Sequence, residues 1–93
     1  MPTTVLIPTP LRGFTDKKAS VVLDGETVGE LLEQLASRYS GLRRHLFTDG
    51  GELRSFVNVY VNDEDIRSLQ KNKTPVREDD VVSIIPAIAG GRF

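Results

Sequence analysis

Between Thr27 and Tyr39 the chain reads TVGELLEQLASRY. Val28, Leu31, Leu32, Leu35, Ala36 and Tyr39 recur at three- and four-residue spacing, which puts them in one apolar stripe on a helix. Glu30, Glu33, Gln34, Ser37 and Arg38 fall mostly on the other side. Thr27 is a good N-cap, and Glu30 three residues later completes a capping box that satisfies two backbone donors reciprocally. Ser40 and Gly41 are expected to end the helix, with Gly41 in the left-handed conformation. A helix with a single apolar face must bury that face against another element.

The flanking segments supply that element as strands. TTVLIP (Thr3 to Pro8) and KASVVL (Lys18 to Leu23) are β-branched runs. Pro8, Pro10 and Gly13 punctuate a long hairpin tip between them, and Asp24 to Glu26 turns the chain into the helix. After the helix, GLRRHLF suits one further helical turn with Leu42, Leu46 and Phe47 inward, and Thr48 to Glu52 is a turn. FVNVYVN (Phe56 to Asn62) alternates strictly, with Val57, Val59 and Val61 on one face and Phe56, Asn58 and Tyr60 on the other. Asn62 to Asp65 reads as a turn, and Ile66 to Leu69 as a weakly pairing segment. Val81 to Ile85 is a last strand ended by Pro86. The order β-β-α-β-(β)-β predicts an α+β roll, a mixed sheet of four to five strands packed on one main helix. Val82 and Ile84 would join the valine face beneath the helix. Residues 1–86 form the domain and 87–93 a flexible C-terminal tail.

Composition narrows the function. Ninety-three residues make one domain with little interior for a deep catalytic cleft. Twelve basic against 13 acidic residues leave a net charge of −1, without the basic stripe that grips nucleic acid. No cysteine is present, which excludes disulfides, thiolate nucleophiles and cysteine-based metal sites. MPTTVLIPTP lacks the basic start and long apolar run of a signal peptide, and no stretch approaches a membrane span, so a cytoplasmic protein is expected.

The individual residues offer little catalysis. His45, the only histidine, has no neighbouring carboxylate motif and reads as a surface or helix-end residue. Asp63, Glu64 and Asp65 fail the calcium-loop spacing, because Arg67, Ser68 and Thr74 occupy the positions that need an acid, a glycine and a glutamate. They and Glu78-Asp79-Asp80 read first as turn residues, with docking of a basic partner as the alternative. Gly50-Gly51 lacks the Lys-Ser or Lys-Thr of a phosphate loop. Two features remain. Phe56, Tyr60 and Ile85 would face away from the helix as a partner-docking patch. Beyond Pro86, the residues Ala87 to Gly91 could extend about 17 Å, ending in two glycines whose backbone fits a narrow channel.

TVGELLEQL, FVNVYVNDEDIR and above all DDVVSIIPAIAGG closely resemble the ThiS/MoaD family of ubiquitin-like sulfur carrier proteins, and within it the CysO-type carriers of cysteine biosynthesis. The likeness runs over nearly the whole chain and implies a β-grasp fold. It implies a carrier that is not itself an enzyme, binds no cofactor or metal, and presents Ala89, Gly90 and Gly91 to the active sites of its partners. The first implied partner is an adenylyltransferase and sulfurtransferase resembling ubiquitin-activating enzymes, which uses ATP to activate the Gly91 carboxylate and converts it to a thiocarboxylate. The second is a biosynthetic enzyme that accepts the sulfur for cysteine or a related amino acid, thiamin, molybdopterin or another metabolite.

One departure stands out. In most of the family the second glycine is the terminus, whereas here Arg92 and Phe93 follow. By family analogy a zinc-dependent JAMM-type metalloprotease would cut between Gly91 and Arg92. The same tail would also serve a protein modifier joined through Gly91 to lysines, and the fold alone would serve a non-catalytic interaction module.

Overall fold

The leucine stripe of helix α1 (Val28–Arg38) is buried in the core that one sheet supplies. The computed structural model describes residues 2–86, so the expected tail at 87–93 lies outside the described residues. The strands are β1 (Pro2–Leu6), β2 (Ser20–Asp24), β3 (Val57–Val61), β4 (Glu64–Asp65) and β5 (Val81–Pro86). Their order across the sheet is β2-β1-β5-β3-β4. β1 pairs antiparallel with β2 and parallel with β5, and β5 pairs antiparallel with β3. This is the β-grasp roll, a mixed five-stranded sheet on one main helix.

The core follows from two periodicities. Leu31, Leu32 and Leu35 from α1 are fully buried with Val5, Val57, Val59, Val82 and Ile84 from the sheet. Burying each such side chain contributes about 1.5–3 kcal/mol relative to exposure. Leu42, Leu46 and Phe47 close one end, as their spacing suggested.

Three local expectations are corrected, and the long hairpin tip gains detail. The Thr27 hydroxyl does accept from the Glu30 N–H at 3.3 Å, but the Glu30 carboxylate accepts from the N–H of Glu26, at 3.1 Å, not of Thr27. The same entry to the helix is tied to the segment before β5: Thr27 bridges Pro75, the Val28 N–H donates to the Thr74 carbonyl and the Val76 N–H to the Glu26 carbonyl. Gly41 is not left-handed; Gly51 in the turn after the short helix α2 (Arg43–Leu46) is the positive-φ glycine among the described residues. No stop is needed at Gly41, since the chain runs on through a 3-10 turn at Ser40–Leu42 into α2. Gly41 instead lets the chain pass Phe14, whose ring would lie 3.1 Å from a Cβ there. The hairpin tip contains a 3-10 helix at Thr9–Phe14. The weak pairing expected at Ile66–Leu69 belongs to Glu64–Asp65, opposite Tyr60 and Val61, and Ile66–Ser68 is a 3-10 turn.

Asn62 explains that last shift. Its φ of 56° turns the chain immediately after β3, so pairing resumes at Glu64. Its side chain also holds the start of β5. Oδ1 accepts from the Val81 N–H at 3.0 Å, and Nδ2 donates to Asp80 Oδ1 at 3.0 Å. Asp80 in turn accepts from the Arg77 N–H at 2.8 Å, and Asp65 accepts from the Arg67 N–H at 2.9 Å. Two of the acids singled out in the sequence thus serve turns.

Asn62→Ala should destabilise the fold by about 1–3 kcal/mol in denaturant unfolding, through lost hydrogen bonds and a left-handed backbone. Asn62→Gly removes the same bonds while keeping the conformation accessible, so it should cost less. Equal losses for the two would show that the turn conformation contributes nothing.

Candidate functional site

The outer face of the sheet is built by the residues that the core leaves over. With Val5, Val21, Leu23, Val57, Val59, Val82 and Ile84 buried under the helix, their strand neighbours turn outward. Register then sets the rows. Leu6 lies beside Ser83, Ser83 opposite Tyr60, and Tyr60 opposite Asp65. In the next row Val22 lies opposite Thr4, and Thr4 beside Val81. Ile85 lies opposite Asn58.

Tyr60 and Ile85 therefore share this face as the alternation suggested, and Phe56 sits in the turn directly before β3. Leu6 and Val22 extend the patch beyond the residues named from the sequence. Leu6, Val22, Phe56 and Ile85 are each between 40% and 56% exposed. Small polar residues, Thr4, Ser20, Ser83 and Asn58, separate the apolar ones, so the face is mixed rather than greasy.

The patch lies next to the exit of the last strand. Pro86 pairs with Val57, and Ile85 with Asn58, at the end of β3 where Phe56 begins. On the other side β1 pairs only with Val81 to Ser83 of β5. Pro86 therefore sits where β5 has lost its β1 neighbour, and its missing N–H disrupts no ladder there. Residues Ala89, Gly90, Gly91 and Arg92 lie outside the described residues.

His45 has a different setting. Its ring stacks on Phe14 with centroids 4.5 Å apart and a 38° tilt. Burial, with the positive charges of Arg44 and then Arg54, pushes its pKa below the ordinary value of 6.5. Among the described residues no group of three or more His, Cys, Asp or Glu side chains is placed to hold a metal. No helix of the described residues is long and apolar enough to cross a membrane.

Known proteins share this arrangement. The profile of the ThiS family matches residues 5–91. The chain is 43% identical to the sulfur carrier protein CysO of Mycobacterium tuberculosis, over 98% of this chain and 100% of that protein. It is 38% identical to small archaeal modifier protein 3 of Haloferax volcanii, over 73% of each. In the crystal structure of the BexX/CysO complex of Amycolatopsis orientalis, a chain 42% identical superposes with a TM-score of 0.86, over 96% of this chain and 99% of that one.

The His45 environment makes a pH prediction. Because the native pKa is depressed, the unfolded chain binds more protons than the native one between the two values. The stability tied to His45 is fully present above 6.5 and declines as pH falls toward the native pKa. Thermal melts from about pH 8 to about pH 5 should show a loss of stability that His45→Phe, which keeps a ring against Phe14, reduces. Parallel curves for the two chains would rule out a His45 contribution.

Proposed function

The chain belongs to the ThiS family, as a sulfur carrier protein similar to the CysO proteins, and from that premise we propose that the carboxyl group of Gly91 is its working end. A partner adenylyltransferase binds ATP, and the Gly91 carboxylate attacks the α-phosphorus with loss of pyrophosphate. A sulfur nucleophile then displaces AMP from the acyl-adenylate and leaves a thiocarboxylate. That sulfur passes to an activated acceptor on a biosynthetic enzyme, of cysteine formation or a related pathway. The carrier supplies no acid, base or cofactor to these steps; its partners do.

The observation that carries this reading is the family match, which runs through the last strand and ends on Gly91. Two further points support it. Gly90 and Gly91 carry no side chains to obstruct a narrow active site. The outer face around Tyr60, Ile85, Leu6 and Phe56 adjoins the exit of β5, so a partner docked there meets the chain as it leaves the sheet. Residues 87–93 act in this proposal as the reaching tail. Arg92 and Phe93 follow Gly91 and hold its carbonyl in a peptide bond, so a peptidase of the JAMM metalloprotease type cuts after Gly91 first.

The chain truncated at Gly91, given ATP, the adenylating enzyme and a sulfur donor, should gain the mass of one oxygen-to-sulfur exchange. The full chain should not, until a peptidase has acted. Intact mass of the protein from its native cells decides the maturation step, and full-length chain alone, with the activating enzyme present, rules it out. Ile85→Asp should raise the KM for adenylation about tenfold while leaving stability within about 0.5 kcal/mol. An unchanged KM would remove the docking role of this face.

The likeness to small archaeal modifier protein 3 favours a second reading, in which the activated Gly91 joins target lysines. Lysine-linked conjugates on a blot, without a thiocarboxylate by mass, would select it.

A further inference from the structure

The helix side of β3 carries a cleft that neither the outer face nor the tail uses. A cavity of about 500 Å3 opens there, over an apolar floor of Leu53, Val57, Val59 and Ile66. Among the described residues its walls carry three cations, Arg67, Lys71 and Lys73, and no carboxylate. That volume lies in the range of pockets that hold specific ligands or anchoring side chains.

Two observations define the occupant and a third supplies a test. First, β4 has two residues and pairs only with Tyr60 and Val61. Among the described residues no strand pairs with Val57 to Val59 on that side, where the Val57 N–H already donates to the Arg54 carbonyl at 3.0 Å and Arg67 Nη2 to the Ser55 carbonyl at 2.8 Å, so the free edge is centred on Val59. An unpaired strand edge is a template for an extended chain. Second, neither Lys71 nor Lys73 forms an ion pair with any described residue. Third, Lys71 is held at a φ of 55°, a conformation that costs any residue with a Cβ and that glycine would adopt freely. Asp16 and Lys17 in the hairpin tip share this conformation, so what the strain provides is a test: glycine can replace Lys71 and remove its charge without a backbone cost.

The wall bearing the lysines is fixed in place. A Cβ on Gly29 of α1 would lie 3.0 Å from the Asn72 carbonyl oxygen, so the 3-10 turn Lys71–Lys73 rests directly on the helix. The Thr74 hydroxyl closes the turn by accepting from the Gln70 N–H at 3.0 Å.

We infer that this cleft is a second docking site, for an extended acidic segment of a partner protein that lies along the free edge of β3. One bulky apolar side chain of the segment fills the cavity, and its flanking carboxylates meet Arg67, Lys71 and Lys73. Val57 and Val59 project to this side while Asn58 and Tyr60 project to the other. The segment therefore leaves the outer face free, and two proteins can hold the carrier at once. The inference is independent of the sulfur chemistry.

The probe is a short capped peptide with leucine and phenylalanine flanked by aspartates, titrated into the full chain labelled with 15N. Saturable shifts should fall on the amides of Val57 to Val59 and Ile66 to Lys73, and spare Leu6, Val22 and Ile85. Binding should weaken as salt rises. Peptides with lysine for aspartate, or with serine for the apolar pair, should bind at least about tenfold more weakly. Lys71→Gly should lose about tenfold in affinity while melting no lower than the parent chain, and Lys73→Gln should show the same loss without touching the strained position. The inference is overturned by an absence of saturable shifts, by shifts confined to the outer face, by undiminished binding of either variant, or by equal binding of the lysine peptide.

Discussion

Burial of the α1 leucines against the valine face of the sheet is the interaction from which the other surfaces follow. It fixes the parity of every strand, because a strand side chain points either to the helix or away from it. Once Val57 and Val59 face the helix, Asn58 and Tyr60 cannot. Once Val82 and Ile84 do, Ser83 and Ile85 face outward. A slip of one residue in any strand would exchange core for surface. The outer patch thus has its composition because of the same alternation that built the core.

That dependence explains what could be read from the sequence. The helix, the alternating third strand and the last strand each carry a periodic pattern long enough to recognise, and the outward positions of Tyr60 and Ile85 followed directly. Leu6 and Val22 obey the same rule but sit in short runs, TTVLIP and KASVVL, where several neighbours are apolar on both faces. Parity there becomes clear only when pairing with β5 and β2 is known. A two-residue strand such as β4 has no period at all, and its position depended on the left-handed turn at Asn62. The reach of Glu30 to Glu26 depended on the backbone path into the helix.

The cleft beside β3 was illegible for a different reason. Its residues come from separate segments at Leu53, at 57–59 and at 66–73. The alternation at 57–59 announces a strand, and none of these segments by itself announces a cleft. The sequence pattern singles out neither Lys71 nor Lys73, and only the fold places them over an apolar floor. The terminal glycines are the opposite case: their meaning is local and rests on the family match, and they lie outside the described residues.

The placement of β5 bears on how so small a domain could act as a carrier. A protein whose end is drawn into another protein's active site transmits any pull to the strand from which that end emerges. An edge strand has one ladder to resist peeling. β5 is central, with Val81 to Ser83 paired to β1 and Val82 to Pro86 paired to β3. Its inward side chains, Val82 and Ile84, are also locked in the core. Only the last three pairings, at Ile84, Ile85 and Pro86, rest on β3 alone, so fraying from that end meets the doubly paired section within a few residues. The fold can yield locally at the exit while the two faces of the sheet at β3 stay in register, which separates holding the domain from positioning its end.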